Sequence, residues 1–461
     1  MEGFTKYIYL MKSSSLILFF LIFTFCSTAQ NISTSAFSVF GLGDKEDVKH
    51  PVFQSTGKVA GIHVDSTILN FYNPASYSLL SPGKILFSTS LTGRFSFVND
   101  QQASVYQPSS SLHHFALALS FKKHFGLCFG LRPYFSKGYS FSNEQYTGLD
   151  SLIHTYEGRG NSQLLFLGLS SNLIKWKGTH LSIGGNVAYL FGSLHNTRTS
   201  AIVSSSSNAG GVEQSTEAFS SLYYNFGLYF NQNISENHAL KLSLCLEPSQ
   251  KLRSTYSKSN FYSENIYDPS IFDTLSSSVC SNGNCFSQIP LEMDLSFAYA
   301  IKFNGRVVNN KKRLSELKLI AGYRQSDWSS YAPNDDSYEN IQFSKSKSLG
   351  FGIQFIPEMK YLEKALISSW YERMYYRLGY FQNTLPYQID ENEIADFGMT
   401  FGIGLPIVIQ QSLSSVNFGV VLGNRGSGIA NEVDEKYIGI NFGLILSPSN
   451  FGRWFRKRKL D

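Results

Sequence analysis

Large apolar residues alternate with small or polar residues in many short stretches of the chain. In the last stretch, Ile438, Ile440 and Phe442 alternate with Gly439 and Asn441. A period of two residues is typical of a β-strand with one face in an apolar environment. We count fourteen such stretches, at 84–98, 110–121, 124–138, 160–174, 179–191, 218–230, 238–248, 290–303, 316–325, 347–356, 371–381, 395–405, 414–422 and 436–447.

The second face of each stretch carries mostly Gly, Ser, Ala or Asn. A soluble sheet would normally carry Lys, Glu and Thr on its outer face. An apolar outer face with a small or polar inner face is typical of a barrel in lipid, which must close because unpaired backbone groups are costly there. We therefore predict a mainly β fold, a transmembrane antiparallel β-barrel of about 14 strands over residues 84–447. An exported soluble β protein is a weaker alternative.

The linkers between the first eight stretches alternate in length. Residues 139–159, 192–217 and 249–289 are long linkers rich in Ser, Asn and Tyr, and the linkers between them are short. Short periplasmic turns and long external loops are expected of an outer-membrane barrel. Residues 357–370 are an exception, because they form a longer linker on the short side. Their charged residues predict a brief periplasmic helix.

The first 29 residues resemble a secretory signal peptide. An apolar run from Leu16 to Phe25 is too short to span a bilayer, and small residues precede Gln30. We expect cleavage between Ala29 and Gln30 and export to the bacterial outer membrane. Translation from Met11 would leave a working signal as well. Lipid modification at Cys26 is an alternative that the preceding Phe25 disfavours.

Export permits disulfides among the four remaining cysteines. Cys280 and Cys285 enclose Asn282-Gly283, a pair that favours a turn. We predict a local disulfide between Cys280 and Cys285. Cys128 and Cys245 lie within apolar strand patterns, so we expect both to pack as small hydrophobic side chains.

The composition of the 461 residues excludes other classes of protein. Charged residues make up 16% and aromatic residues 15%, which does not fit an intrinsically disordered chain. The net charge of +5 is mild and its residues are scattered, so we expect no nucleic-acid partner. The mean hydropathy is close to zero, which does not fit a bundle of membrane helices.

Residues 30–83 do not alternate, and they contain three short motifs. These are Gly41-Leu42-Gly43, the Gly-rich stretch from Gly57 to Gly61, and Asn73-Pro74-Ala75. In these motifs and in its strand count the chain resembles the FadL family of outer-membrane transporters. The resemblance implies that residues 30–83 form an N-terminal hatch (plug), with Gly41, Gly43, Asn73, Pro74 and Ala75 as its motif residues.

The resemblance also implies a non-enzymatic function, the uptake of hydrophobic small molecules such as fatty-acid-like or aromatic compounds. In FadL relatives such molecules are thought to leave sideways through the wall, past a kinked strand. Pro133 and Pro248 are our candidates for breaks in the strand ladder.

The basic C-terminal tail, residues 448–461, departs from a barrel that ends on its last strand. The tail is similar to those of barrels from Bacteroidota, which also use FadL-like barrels as accessory subunits of type IX secretion. An alternative function is therefore an accessory or binding barrel of a protein-secretion or surface-assembly complex. The expected partners are outer-membrane lipid, and either a hydrophobic small molecule or other outer-membrane or secretion proteins.

Arg373 and Arg377 are the candidate lumen residues, because both face inward on one predicted strand, 371–381. Arginines can bind the carboxylate of a lipid-like ligand through charge-assisted hydrogen bonds. We favour a second interpretation, in which they pair with acidic side chains and hold the hatch in place. The candidate acidic partners are Glu292, Asp294, Asp44 and Asp65.

Motifs for catalysis are missing from the sequence. The outer-membrane phospholipase signature needs a His two residues before Ser-Asn-Gly, whereas Val279 stands before Ser281-Asn282-Gly283. No Gly-x-Ser-x-Gly, His-Glu-x-x-His or Cys-x-x-Cys motif is present. We expect neither an enzyme, nor a cofactor, nor a metal.

Overall fold

The structure is a computed structural model of the chain. It describes residues 35–447, except 47, 100–103, 122–123, 147, 149, 204–207, 281–284, 309–310, 335–340, 358–368, 390, 410–411 and 429–432. The predicted signal peptide, the basic tail and nearly all of the predicted periplasmic helix lie outside the described residues.

Fourteen antiparallel strands form the wall, and the last pairs with the first. Asp434 lies opposite Asn99 and Leu446 opposite Phe87, so the sheet closes into a barrel. The prediction of a closed 14-strand barrel is confirmed. The strands are β1 Ile85–Asn99, β2 Ser104–Phe121, β3 Phe125–Tyr146, β4 Ser151–Trp176, β5 Thr179–Val203, β6 Gly210–Asn233, β7 His238–Glu247 with Gln250–Ser263, β8 Asp273–Cys280 with Phe286–Ile289 and Glu292–Val308, β9 Lys311–Asp327, β10 Ile341–Phe343 with Lys345–Ile356, β11 Tyr375–Ile389, β12 Asn392–Ile409, β13 Ser412–Gly426 and β14 Asp434–Leu446.

The helices of the described residues are short. A two-residue strand, Asp44–Lys45, precedes the α-helix Pro51–Gln54, and 3-10 helices lie at Ala36–Val39, Pro74–Leu79, Pro269–Ile271 and Trp370–Arg373. Within the described ranges, none of these helices has the length and apolar character that crossing a membrane requires.

Side chains alternate across the wall as the sequence predicts. On β4, Leu165, Leu167 and Leu169 are more than half exposed on the outer face. Leu164 and Phe166, which alternate with them, are buried inside. A belt of exposed apolar side chains is what lipid requires of the outer face of a barrel. The inner face carries small and polar residues, which leaves room for the chain that fills the lumen.

The prediction of long external loops at 139–159, 192–217 and 249–289 is wrong for most of these residues. They continue as paired strand, for example Ser140 opposite Glu157 and Thr197 opposite Gln214. Beyond the lipid both faces of a sheet meet polar surroundings, so the apolar alternation stops there. The backbone pairing of the strands continues without it. The wall at β3 to β8 therefore extends well past the apolar belt.

Labelling in intact cells tests this placement. Glu157→Cys is exposed on β4, ten residues from Leu167→Cys on the same strand, a separation of about 33 Å. We expect a membrane-impermeant maleimide to label Glu157→Cys and to leave Leu167→Cys unlabelled, because lipid covers the latter. The wild-type chain gives the background of its native cysteines. Labelling of Leu167→Cys, or none of Glu157→Cys, would contradict the placement.

Candidate functional site

The N-terminal segment, residues 35–80, is packed inside the wall. Its side chains bond to strands on opposite sides of the barrel: Tyr77 Oη donates to Asn186 Oδ1 of β5 at 2.9 Å, and Gln54 Oε1 accepts from Asn441 of β14. Phe53, Leu69 and Phe71 are fully buried in the largest apolar cluster. The segment therefore fills the space that the wall encloses.

Asn73 of the Asn-Pro-Ala motif ties two parts of the segment together and touches the wall. Its Nδ2 donates to Gly61 O at 2.9 Å and to Leu228 O of β6 at 3.5 Å. Its Oδ1 accepts from Ala75 N at 3.1 Å and so caps the 3-10 helix that Pro74 begins. Ala75 is fully buried. The motif thus sets the point where the segment meets β6.

Inward-facing glycines of β3, β5 and β6 receive this 3-10 helix. A Cβ at Gly126 would lie 2.1 Å from Tyr77 C, one at Gly184 2.5 Å from Pro74 C, and one at Gly227 2.3 Å from Asn73 Oδ1. Contacts below 3.0 Å do not occur for real Cβ atoms, so only glycine allows the helix backbone to approach this closely.

A second set of glycines on the opposite wall, on β10 and β11, receives residues around Gly57. Cβ atoms at Gly350 and Gly379 would lie 2.3 Å from Gly57 O and 2.1 Å from Gly57 N. Gly57 has a φ of +70°. A Cβ on Gly57 itself would lie 2.4 Å from Phe351 O. Segment and wall therefore meet backbone to backbone on two sides of the lumen.

At the Gly-Leu-Gly motif, the N-terminal segment comes close to the wall at a third place. Gly41 and Gly43 have φ values of +52° and +80°, in the left-handed region that favours glycine. A Cβ at Gly43 would lie 2.4 Å from Ser136 O. The turn leads into Asp44–Lys45, which pairs antiparallel with Ser136 and Phe135 of β3. The segment is thus joined to the wall by a strand ladder as well.

Ion pairs fix both ends of this short ladder. Lys45 Nζ lies 3.0 Å from Glu247 Oε2 and 3.0 Å from Glu292 Oε2. Asp44 Oδ1 lies 3.1 Å from Arg425 Nη1. The Arg425 guanidinium also reaches Asp396 Oδ2 at 3.6 Å. The N-terminal segment therefore pairs with charged wall residues of β7, β8 and β13. The Asp396 carboxylate of β12 is neutralised by Arg425, which also binds the segment.

Lys45, Arg425 and Asp396 were not among the site residues predicted from the sequence. The predicted partners of Arg377 were also wrong. Arg377 donates to Gln354 Oε1 at 2.9 Å and to Asn417 Oδ1 at 3.2 Å. Arg373 lies in the 3-10 helix Trp370–Arg373, so the prediction that it shares a strand with Arg377 is wrong. The acidic residues expected as partners bind other groups: Asp44 binds Arg425, Glu292 binds Lys45, Asp294 binds Arg324, and Asp65 accepts from Thr67.

The described residues include four cysteines and a buried histidine, His50. Cys280 and Cys285 form a disulfide, while Cys128 and Cys245 are free. Burial lowers the pKa of His50 to about 3, with a smaller contribution from Arg377. The neutral ring accepts from Val52 N at 3.3 Å. Within the described ranges, no group of His, Cys, Asp and Glu is placed to hold a metal ion.

Cavities inside the described part of the barrel are small, and charged and apolar side chains line them together. One of about 150 Å³ is lined by Asp44, Glu292, Arg324 and Arg425 together with aromatic side chains. Two others measure about 80 and 70 Å³. Ligand sites are commonly about 300–1,000 Å³ and mostly apolar. These cavities are smaller than such a site, whereas an apolar cavity of about 630 Å³ lies among Phe121, Leu169 and Phe226 of the wall.

In the described residues, the ladder between β2 and β3 stops partway along the two strands. The two strands pair only from Phe115 opposite Leu131 to Phe121 opposite Phe125. Beyond Leu131, the register of β3 against β4 shifts between Pro133 and Ser136. Every residue of β3 from Pro133 to Tyr139 is buried. Strand β3 bends into the lumen at Pro133, one of the two predicted breaks. At the other, Pro248 separates the two parts of β7.

A closed fourteen-strand barrel with its own N-terminal segment packed in the lumen is the class of protein that these features define. The family model described as BamG matches residues 11–461, so the chain belongs to the BamG family. No curated protein matches the chain.

Solved structures share the fold at low identity. The toluene transporter TbuX of Ralstonia pickettii is 12% identical with a TM-score of 0.52, over 89% of this chain and 99% of that chain. A FadL homologue of Pseudomonas aeruginosa is 10% identical with a TM-score of 0.52, over 87% and 98%. The toluene transporter TodX of P. putida is 12% identical with a TM-score of 0.50, over 87% and 98%.

Substitution of one wall glycine tests the close approach. In Gly227→Val, the new side chain meets Asn73 and Pro74, so we expect a loss of about 1–3 kcal/mol from overpacking. Gly211→Val on the same strand is the matched control, because its Cβ would come no closer than 3.9 Å to Phe261 O. The measurement is the midpoint of heat-induced loss of fast gel migration. Equal midpoints for the two variants would contradict the glycine contact.

Proposed function

We propose that this barrel acts in the bacterial outer membrane as an accessory or binding subunit of a protein-secretion or surface-assembly complex. In this proposal residues 1–29 are a cleaved signal peptide, residues 30–83 are a fixed hatch, and residues 448–461 are a basic periplasmic tail. The protein carries out no chemistry of its own. The observation that carries the proposal is the backbone-to-backbone contact between the hatch and glycines on opposite sides of the wall.

Such a hatch is costly to move. Withdrawing it would separate Asp44 from Arg425, whose side chain is 8% exposed, and breaking a buried pair typically costs about 3–5 kcal/mol. Lys45 would leave Glu247 and Glu292 at the same time. The cavities beside the hatch are smaller than a typical site for a hydrophobic ligand, and charged side chains contribute to their linings. These features favour a subunit that works without opening over a passage that opens for each molecule.

The extended wall supplies a surface for partners. Strands β4, β5 and β6 run for 26, 25 and 24 residues, although about 9–11 residues suffice to cross the membrane. A sheet that continues far beyond the lipid presents a surface outside the membrane. It is well suited to contact another protein at the cell surface.

A second candidate function is a channel for hydrophobic small molecules. The separation of β2 from β3 beyond Leu131 favours it, because an apolar molecule could leave through such a break into the lipid. TbuX and TodX, which share the fold, are described as toluene transporters. This candidate requires the hatch to move or to leave an apolar path.

Solubilisation of native membranes in a mild detergent separates the two functions. We expect the chain of 51.7 kDa to migrate in a larger assembly with partners in fixed ratio. We also expect uptake of labelled toluene and of a labelled long-chain fatty acid to be equal in cells with and without the gene. Migration as a single barrel, together with lower uptake in the deletion strain, would contradict the proposal and favour the channel.

A further inference from the structure

The outer part of β8, Asp273–Cys280, lies beyond the lipid. It pairs with the outer part of β7, where Val279 lies opposite Ser257. On β7, Leu246 is the last outward apolar residue before Ser257, which lies eleven residues further along the strand. At about 3.3 Å per residue, that distance is about 36 Å along the strand. The segment therefore stands in the external solvent rather than in the membrane.

One edge of this segment has no strand beside it in the described part of the chain. Asp273–Cys280 pairs with β7 on one side. The strand that follows in the wall, β9, reaches only to Asp327, and its pairing with β8 begins at Glu292. The outer piece of β8 thus extends above its neighbour and leaves a row of backbone N–H and C=O groups unpaired by any described strand.

The edge lacks most of the features that keep exposed edges from pairing. Natural edges are guarded by Lys, Pro or strong irregularity. The sequence Asp-Thr-Leu-Ser-Ser-Ser-Val-Cys has no Lys or Pro, and its one irregularity is at Leu275. From Ser276 to Cys280 the register is continuous. Leu275 and Val279 are 69% and 64% exposed, in a region where no lipid covers them.

The edge is also held rigidly. The Cys280–Cys285 disulfide joins it to Phe286–Ile289, which pairs with Gln250–Arg253 of β7. In addition, Ser254 N donates to Cys285 O at 3.3 Å. Both ends of the connection are therefore fixed to β7, and a pre-formed edge costs a partner less ordering on binding.

We propose that Asp273–Cys280 is a docking edge that accepts an extended segment of a different protein as an added β-strand. This inference rests on the proposed function as a subunit of a complex. An unpaired strand edge is matched by another extended backbone, and side chains at alternate positions supply selectivity. The partner segment would place an apolar side chain against Val279, which lies in the continuous part of the register.

A second copy of this chain fits the edge poorly. Like edges pair antiparallel about a two-fold axis perpendicular to the strands. Two copies that share one membrane have the same orientation, so the axis that relates them lies along the membrane normal. The geometry therefore favours a partner of another kind.

Photo-crosslinking in intact cells tests the register of the docked strand. A benzophenone amino acid replaces Ser276, Ser277 or Ser278, one position at a time, because the register is continuous there. We expect all three to link to one protein, at successive positions in order along a single segment. Links to scattered positions, links to a second copy of this chain, or no links would overturn the proposal.

A paired substitution gives a second test. The double substitution Leu275→Lys and Val279→Lys adds two charges to the segment, because lysines on an edge strand oppose pairing with another chain. We expect about a tenfold drop in the amount of complex. Ile202→Lys is the matched control, because Ile202 is 54% exposed and its strand is paired on both sides. Heat-modifiable gel migration shows that each variant is folded. A complex that survives both lysines overturns the docking edge alone, whereas a wild-type chain that runs as a single barrel overturns the proposed function as well.

Discussion

The close approach of the N-terminal backbone to glycines in the wall is the constraint on which the rest of the structure depends. Side chains at Gly126, Gly184, Gly227, Gly350 or Gly379 would occupy the volume that the segment now fills. Because these glycines lie on opposite walls, the segment is held between two surfaces and not merely attached to one. Its position then determines which wall charges are neutralised.

The ion pairs follow from this position. Asp44 and Lys45 are carried to the wall by the turn at Gly41 to Gly43, and there they meet Arg425 on one side and Glu247 with Glu292 on the other. Burying these charges without partners would be unfavourable. The inward bend of β3 at Pro133 completes the arrangement, since it brings Phe135 and Ser136 to the ladder with Asp44–Lys45 and opens the wall toward β2. The filled lumen and the break between β2 and β3 thus both depend on the inward bend of β3.

Much of the wall could be predicted from the sequence, because lipid imposes a strict alternation on residues such as Leu165, Leu167 and Leu169. The outer strands could not, since Thr197 and Gln214 meet polar surroundings on both faces and carry no periodic signal. The glycines were visible as small inward residues, but their purpose depends on the segment that touches them. The pair Asp44–Arg425 joins residues 381 positions apart, and Arg425 lies beyond the predicted strand 414–422, so no local pattern assigned it a face.

We propose that the barrel works with its hatch in place. Val59 Cβ lies 3.3 Å from the position of a Cβ at Gly322, close enough for Val59→Cys and Gly322→Cys to form a disulfide after a small shift. The test compares cells that carry only this locked barrel with and without a reductant. The quantities measured are the amount of native complex and the growth of the cells. We expect the locked form to support the same amount of native complex and the same growth as the reduced form. Loss of function on oxidation, with recovery on reduction, would contradict it.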